Sequence, residues 1–493
     1  MKIRFLIVPL LLVASLFVVT GCKDKGDPAW GEKQKPLLEE LLNKPAIKHG
    51  EIAIDYKKKE WVIPNLEVTL KETEDMRSFC TIESVTGVNV VLEPIAEENG
   101  MLAEKVELKG LACQVVAKNS PAEGNAAMSA FKQDSLVVEN LKGSKDLQKA
   151  LLSFGSEYSM DMLKDARLDR FAMNGVSVLA GGVEASSLES LELKNLAEGF
   201  VGPVQMKKLT LSPPAPGLKN IIVDSLQVKK IGSSKLLDEL KKLNDSPSDI
   251  AFSAFMMSVD FVLEDMEYQN VSFNFDGDVP PVTIAKAVGS TSFDGKTGAS
   301  SSKMEGLKID PKTAQHFAPG FLKDYAFKPV DLSMTTDINI ANNEGEYTFD
   351  YKKIQVTDPL LGSLNMAFGL IGGNDLFQFS GTGDMPRVKV KGFTVSLEDI
   401  GWSDMGFEIA SLGSGSGLEG ASAMRMMAVA GLQMQCGQLP ANLQGACKDT
   451  ASFLEKKGTI EYSFNPAQPL ELGNNLLQDA DKVEVVSKYT PAK

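Results

Sequence analysis

One short string, repeated along the chain, constrains its fold more than anything else. It places two apolar residues at alternate positions and a third one three residues after the second. Val106-Glu107-Leu108-Lys109-Gly110-Leu111 has this form, and so has Leu136-Val137-Val138-Glu139-Asn140-Leu141-Lys142-Gly143. Leu191-Glu192-Leu193-Lys194-Asn195-Leu196, Leu226-Gln227-Val228-Lys229-Lys230-Ile231-Gly232 and Val388-Lys389-Val390-Lys391-Gly392-Phe393 are further copies. Alternation of period two marks a strand with one wet face. The extra residue before the third apolar position shifts which face is buried, as a β-bulge or a strand-end turn does. Irregular spacing between copies argues against a solenoid of fixed period. The expected fold is therefore a β-rich α+β protein, with elongated antiparallel sheets that form a filled core or a curved groove, crossed by short helices.

Between the copies the pattern changes. Residues 145–166 have helical spacing at Leu147, Leu151 and Leu152, and SSKLLDELKKLND is amphipathic behind a Ser cap. PKTAQHFAPGFLKDYA reads as a helix broken at Pro319-Gly320. Val271, Phe273 and Phe275 alternate, as do Ile338 and Ile340, and Asn342-Asn343-Glu344-Gly345 is a hairpin turn before Tyr347, Phe349 and Tyr351. Most of the 24 Phe residues fall between Phe252 and Phe407, which places the largest core there. After the Gly/Ser-rich SLGSGSGLEG, the Met and Ala content of GASAMRMMAVAGLQMQ suits a buried helix. KDTASFLEKKG supplies the second arm of a helical hairpin, and GTIEYSFNPAQPL returns to strand. The organisation expected is a leader over 1–21, a tether and short helix over 22–45, and an N-terminal β-rich domain with helices over 46–250. A Phe-rich β domain over 251–411, the helical hairpin plus final strand over 412–475 and a polar tail over 476–493 complete it.

The leader has a basic start, Met1-Lys2-Ile3-Arg4, and an apolar run from Phe5 to Val19. That describes a cleaved export signal, because the run is too short for a spanning helix. Val19-Thr20-Gly21-Cys22 resembles the lipobox of bacterial lipoproteins, a family that usually has Leu in place of Val19 and Ser or Ala in place of Thr20. The resemblance implies a diacylglycerol on the Cys22 sulfur, cleavage before Cys22 and an acylated amino terminus, with palmitate-like chains. Each buried methylene contributes about 0.8 kcal/mol, so two or three chains anchor a protein firmly. Lys23 after the acylated position is similar to lipoproteins passed on to the outer membrane. The competing reading is an ordinary secretory leader that ends near a cysteine.

With Cys22 assigned to lipid, four cysteines remain, and an even number in an exported chain points to disulfides. Cys436 and Cys447 lie close together in CGQLPANLQGAC, which pairs them and leaves Cys80 with Cys113. The spacing does not suit zinc, and no metal or cofactor is expected. The charge of −14 falls to about −16 once Lys2 and Arg4 leave with the leader. A surface that acidic disfavours nucleic acid.

Catalytic material is sparse. Only His49 and His316 are present, and neither G-x-S-x-G, H-E-x-x-H nor a phosphate-binding loop occurs. Asp276-Gly277-Asp278 and Asp294-Gly295 read as turns ahead of calcium loops. Three Trp residues are few for a sugar-binding enzyme, although the carboxylates Asp265, Asp276 and Asp350 keep a hydrolase open.

SLVVENLKG, SLELKNLAEG and GTIEYSFNPAQPL resemble strands of the AsmA-like and YdgA-like periplasmic families. The resemblance covers about half of the mature chain and implies an elongated antiparallel β fold with a role in envelope lipid homeostasis. It carries no catalytic residue with it. Three readings follow: a non-enzymatic, membrane-anchored protein of the cell envelope that binds a hydrophobic ligand or an envelope partner, a scaffold lipoprotein with a closed core, and a carboxylate-dependent hydrolase.

Overall fold

The computed structural model describes residues 28–73, 75–92, 95, 100–117, 129–152, 166–180, 183–213, 215–233, 261–323, 325–373, 388–471 and 483–492. The chain divides into two units, Met1–Asp245 and Ser246–Lys493. Cys22 and the helix expected over SSKLLDELKKLND lie almost wholly outside the described residues.

The first unit starts with helix α1 (Pro28–Leu42), short strands β1 (Ile47–Lys48) and β2 (Ala53–Asp55), and then the long strands β3 (Glu60–Glu72), β4 (Met76–Val90), β5 (Gly100–Ala117) and β6 (Ser129–Gly143). After helix α2 (Lys145–Leu152) come β7 (Leu168–Ala180), β8 (Val183–Leu196), β9 (Phe200–Val201), β10 (Val204–Leu211), β11 (Leu218–Val228) and β12 (Lys230–Gly232). From β3 to β8 every strand pairs antiparallel with the next, and β10 then joins β8 to β11. Trp61, Ile63, Ile82, Val85, Val106, Leu108 and Leu136 are at most 1% exposed and cluster with Leu38 and Leu42 of α1 and Leu147 of α2. The expected tether is thus partly helix. Gln34, Leu38 and Leu42 form an i, i+4, i+8 stripe that is buried, and this stripe extends α1 back through residues read as a polar linker. Inside the core the polar Gln148 of α2 is satisfied: it accepts from the Ile95 amide at 3.0 Å and donates to the Val91 carbonyl at 3.3 Å.

The three-residue step has a definite structural cause. Gly110, Asn140 and Asn195 have φ of +63°, +54° and +53°, which turns two consecutive side chains outward before the next apolar residue points in. In β19 (Lys389–Asp399) the step falls at a register shift beside Gly392, and in the Leu226 copy it coincides with the break between β11 and β12. Both expected causes therefore occur.

Register adds an order that one strand alone does not reveal. Left-handed residues stand on alternate strands in two rows. Asn65 (β3), Gly110 (β5), Gly175 (β7) and Lys208 (β10) form the first row, and Asn89 (β4), Asn140 (β6) and Asn195 (β8) form the second. On the strands between them, acidic residues lie opposite: Glu83, Asp134, Glu189 and Asp224 in the first row, Glu104 and Asp169 in the second. All six acids are exposed. Each of β4 to β8 carries an acid six residues before its left-handed residue, as in Asp134-Ser135-Leu136-Val137-Val138-Glu139-Asn140. In the second row Asn140 Nδ2 donates to Asp169 at 2.8 Å and Asn89 Nδ2 to Glu104 at 3.1 Å. In the first row the acid lies over a glycine, because a Cβ on Gly110 would come within 2.3 Å of the Glu83 side chain and one on Gly175 within 2.0 Å of Asp134. Since both strands of a pair make the same extra step, register is unchanged across each row.

The second unit contains β13 (Phe261–Phe275), β14 (Val282–Phe293), β15 (Thr297–Ile309), helix α3 (Pro311–Phe317), β16 (Val330–Asn343), β17 (Glu346–Asp358), β18 (Gly362–Gly372) and β19. Helices α4 (Trp402–Gly413), α5 (Gly420–Cys436) and α6 (Ala441–Lys456) follow, and then β20 (Gly458–Pro466), β21 (Leu470–Glu471) and β22 (Val483–Pro491). Strands β13 to β20 form a continuous antiparallel meander closed by β22. Asp310 caps α3 by accepting from the Lys312 amide at 2.8 Å, and the helix stops at Pro319-Gly320 as expected. The β16–β17 turn also falls where expected, with Gly345 N–H donating to Asn342 Oδ1 at 2.9 Å.

The disulfide-closed helical hairpin is formed by α5 and α6, and a further helix, α4, precedes it, with the Asp399 carboxylate accepting from the Ser403 amide at its start. Two expectations are corrected here. The last residues are not a polar tail, because Val483–Pro491 pair with β20 and Val483 is buried at 4% exposure. Helix α5 is not buried: Met426, Met427 and Met434 are 66%, 65% and 78% exposed. Its buried side carries Val429 and Cys436 instead.

Candidate functional site

The two units differ in how the apolar faces of their strands are covered. In the second unit, bulges beside Asp337/Ile338, Tyr351/Ile354 and Gly369/Leu370 absorb extra residues and keep the apolar rows on one face. One row is Ile338, Tyr351, Phe368, Phe393 and Phe464 across β16 to β20. Within it Tyr351 stacks on Phe368 at 4.4 Å and Phe393 on Phe464 at 4.8 Å. The next rows are Thr336, Ile354, Met366, Val395 and Tyr462, then Met334, Val356, Leu364, Leu397 and Ile460.

Helix α6 covers only the margin of this face. It packs on β20 and β22, where the Thr450 and Tyr462 hydroxyls meet at 2.6 Å and Ile460 is 2% exposed. Burial pushes the Tyr462 hydroxyl up in pKa, and the nearby Asp449 adds to the rise against the Thr450 hydrogen bond. On β16 to β19 the same rows are half-buried, and Phe393 and Met334 reach 39% and 37% exposure. On β3 to β6, by contrast, Ile63, Ile82, Val106, Leu108 and Leu136 are at most 1% exposed. The face is thus a broad apolar surface with few polar groups; Thr336 Oγ1, which has no partner, is one of them. Such a lining suits an apolar ligand held without strong orientation.

The helical insert is tied to the sheet by charge. Asp404 of α4 receives Arg425 Nη2 of α5 at 2.6 Å and the Lys457 ammonium just after α6. Burial pushes the Asp404 carboxyl up, yet the two cations together hold it below its ordinary value. Tyr325 donates to Glu408 of α4 at 2.7 Å; burial first, and that carboxylate second, raise its pKa. The Cys436–Cys447 disulfide links α5 to α6, with a Cα–Cα distance of 5.5 Å. In the first unit Cys80 and Cys113 are a facing pair on β4 and β5 and form the other disulfide.

The candidate catalytic carboxylates do not converge. Asp265 on β13 and Asp350 on β17 are four strands apart, about 19 Å at the usual inter-strand spacing, whereas a glycosidase pair spans about 5–9.5 Å. Asp276 lies beyond the end of β13, and Asp350 pairs with Lys391 at 3.4 Å. Asp265 borders a hollow of about 400 Å³ on the polar face of the sheet, with Glu267, Ser290, Ser301, Lys303 and Asp337. Glu267 is drawn down in pKa by Gln269 first and by Lys286, 2.9 Å away, second. His49 Nδ1 lies 2.7 Å from the Gly50 carbonyl, and His316 stacks edge-on with Phe317, both on the surface. Asp294 closes the β14–β15 turn by accepting from the Lys296 and Thr297 amides at 2.8 and 2.6 Å.

No family model matches the chain, and no curated protein matches it in sequence.

Proposed function

We propose that this is a lipoprotein anchored through Cys22 in the bacterial envelope, at the periplasmic side of the outer membrane, and that it binds the acyl part of a lipid along the apolar face of strands β16 to β19. The reading rests on one observation: the rows led by Tyr351, Met366 and Leu364 are half-exposed, while most apolar side chains on the core face of β3 to β6 in the first unit are sealed. Leaving several aromatic and aliphatic side chains partly wet is costly at about 25 cal/mol per Å², and a bound acyl chain would recover that loss. The sealed core under α1 and α2 supports a second role for the first unit, that of a scaffold.

Two measurements test this separately. Mass spectrometry of the mature amino terminus should find diacylglycerol and an amide-linked acyl chain on Cys22; an unmodified thiol there refutes the anchor. In a Cys22→Ser background, which removes the anchor's own acyl chains, fluorescent palmitate should bind, and Met366→Asp should weaken it at least tenfold. Absence of binding by the Cys22→Ser protein refutes the ligand assignment.

A further inference from the structure

Helix α5 leaves one side bare, and the order of residues on that side is informative. Ala423, Met427, Ala430 and Met434 follow each other at steps of four, three and four, the a/d spacing of a helix-pairing seam, and all four are exposed. The only charged side chain between Gly420 and Cys436 is Arg425, and it is turned inward to Asp404. A seam with no charge offers nothing to an acidic or basic partner. It also lacks the lysine rim and the aromatic residues with which helices settle on a lipid surface.

What the seam does fit is its own reverse. A two-fold axis that crosses the helix midway between Met427 and Ala430 sets Met427 of one copy beside Ala430 of the other, and Met434 beside Ala423. Each large side chain then meets a small one, with Gly420 and Gly437 leaving both ends of the seam clear. Small residues at such positions let helix backbones approach closely, and a two-fold contact needs one self-complementary patch rather than two different ones. Methionine adapts its shape to such a contact. The Cys436–Cys447 bond and the Arg425–Asp404–Lys457 group hold α5 from behind, so the seam is presented rigidly.

We infer that a second copy of this chain occupies the seam, with the two α5 helices antiparallel. The inference is independent of the lipid-binding reading, because the seam and the sheet face are different surfaces of the unit.

The test is cross-linking of two full-length copies with different epitopes, one carrying Met427→Cys and the other Ala430→Cys, in the membranes where they are made. Under mild oxidation a product holding both epitopes should form at least tenfold faster than with Lys448→Cys, an exposed site on α6. Formation no faster than that control overturns the inference. Faster formation between two Met427→Cys copies than in the mixed pair also overturns it, since that marks a parallel pair. As a second measurement, two differently tagged copies with native α5 should co-purify, and Ala430→Glu should abolish this without changing the far-UV spectrum. Persistence of co-purification in that variant overturns the seam as the contact.

Discussion

Replacing Asn140 by valine sets two rules of β structure against each other. Valine is among the best strand formers and asparagine among the worst, so strand propensity alone expects a gain of up to about 1 kcal/mol at an ordinary position. Asn140 is not ordinary, for its φ is +54° within β6. A left-handed backbone costs an L-residue about 1–2 kcal/mol, and a β-branched residue stands at the upper end. The substitution also removes the 2.8 Å bond to Asp169, worth about 0.5–1.5 kcal/mol. The sum is a loss of about 2–3 kcal/mol, opposite in sign to the propensity rule. In a unit of this size each kcal/mol moves Tm by about 2–4 °C, so the melting of the first unit should fall by about 4–12 °C. The buried Trp61 reports that transition by its fluorescence. Asn140→Gly keeps the backbone and loses only the amide, so its Tm should drop by less than half as much. If Asn140→Val melts at or above the native temperature, the left-handed rows do not shape this sheet.

Two further outcomes follow from the cross-links and charges of the second unit. Cys436→Ser with Cys447→Ser opens a loop of 11 residues, which chain entropy values at about 2.8 kcal/mol; calorimetry should show the second unit destabilised while the first keeps its melting temperature. The Asp404 carboxyl titrates below its ordinary 3.8 in the folded state, so its contribution is present above that value and lost as pH falls through the folded pKa. Asp404→Asn should therefore be less stable than the native protein at pH 7, and the gap should close below pH 3.8; a gap that stays constant with pH refutes the ion-pair account.

Much of the local structure was legible in the sequence because its causes are local. The alternating strings name the strands, the three-residue step names the kinks, Pro319-Gly320 stops α3, and the short spacing of Cys436 and Cys447 pairs them. What stayed hidden depends on partners far along the chain. The acid six residues before Asn140 is an unremarkable Asp134 until register sets it opposite Gly110 and Gly175. Val483–Pro491 looks polar because only one of its faces meets β20. The composition of α5 is the same for a core helix and for a contact surface, and only burial separates them. The candidate carboxylates could not be judged from sequence either, since nothing local says that Asp265 and Asp350 stand four strands apart. The half-covered face of β16 to β19 was equally invisible: alternation shows that a face is apolar, not whether anything lies on it.

The two rows of left-handed residues carry a consequence for how such a sheet grows. Because these residues recur on every second strand, the unit of repetition is a hairpin and not a single strand. Inserting or deleting one strand would bring acid against acid in one row and one left-handed residue against another in the other row, whereas a whole hairpin leaves the sequence of partners intact. Longer and shorter descendants of this protein should therefore differ by even numbers of strands.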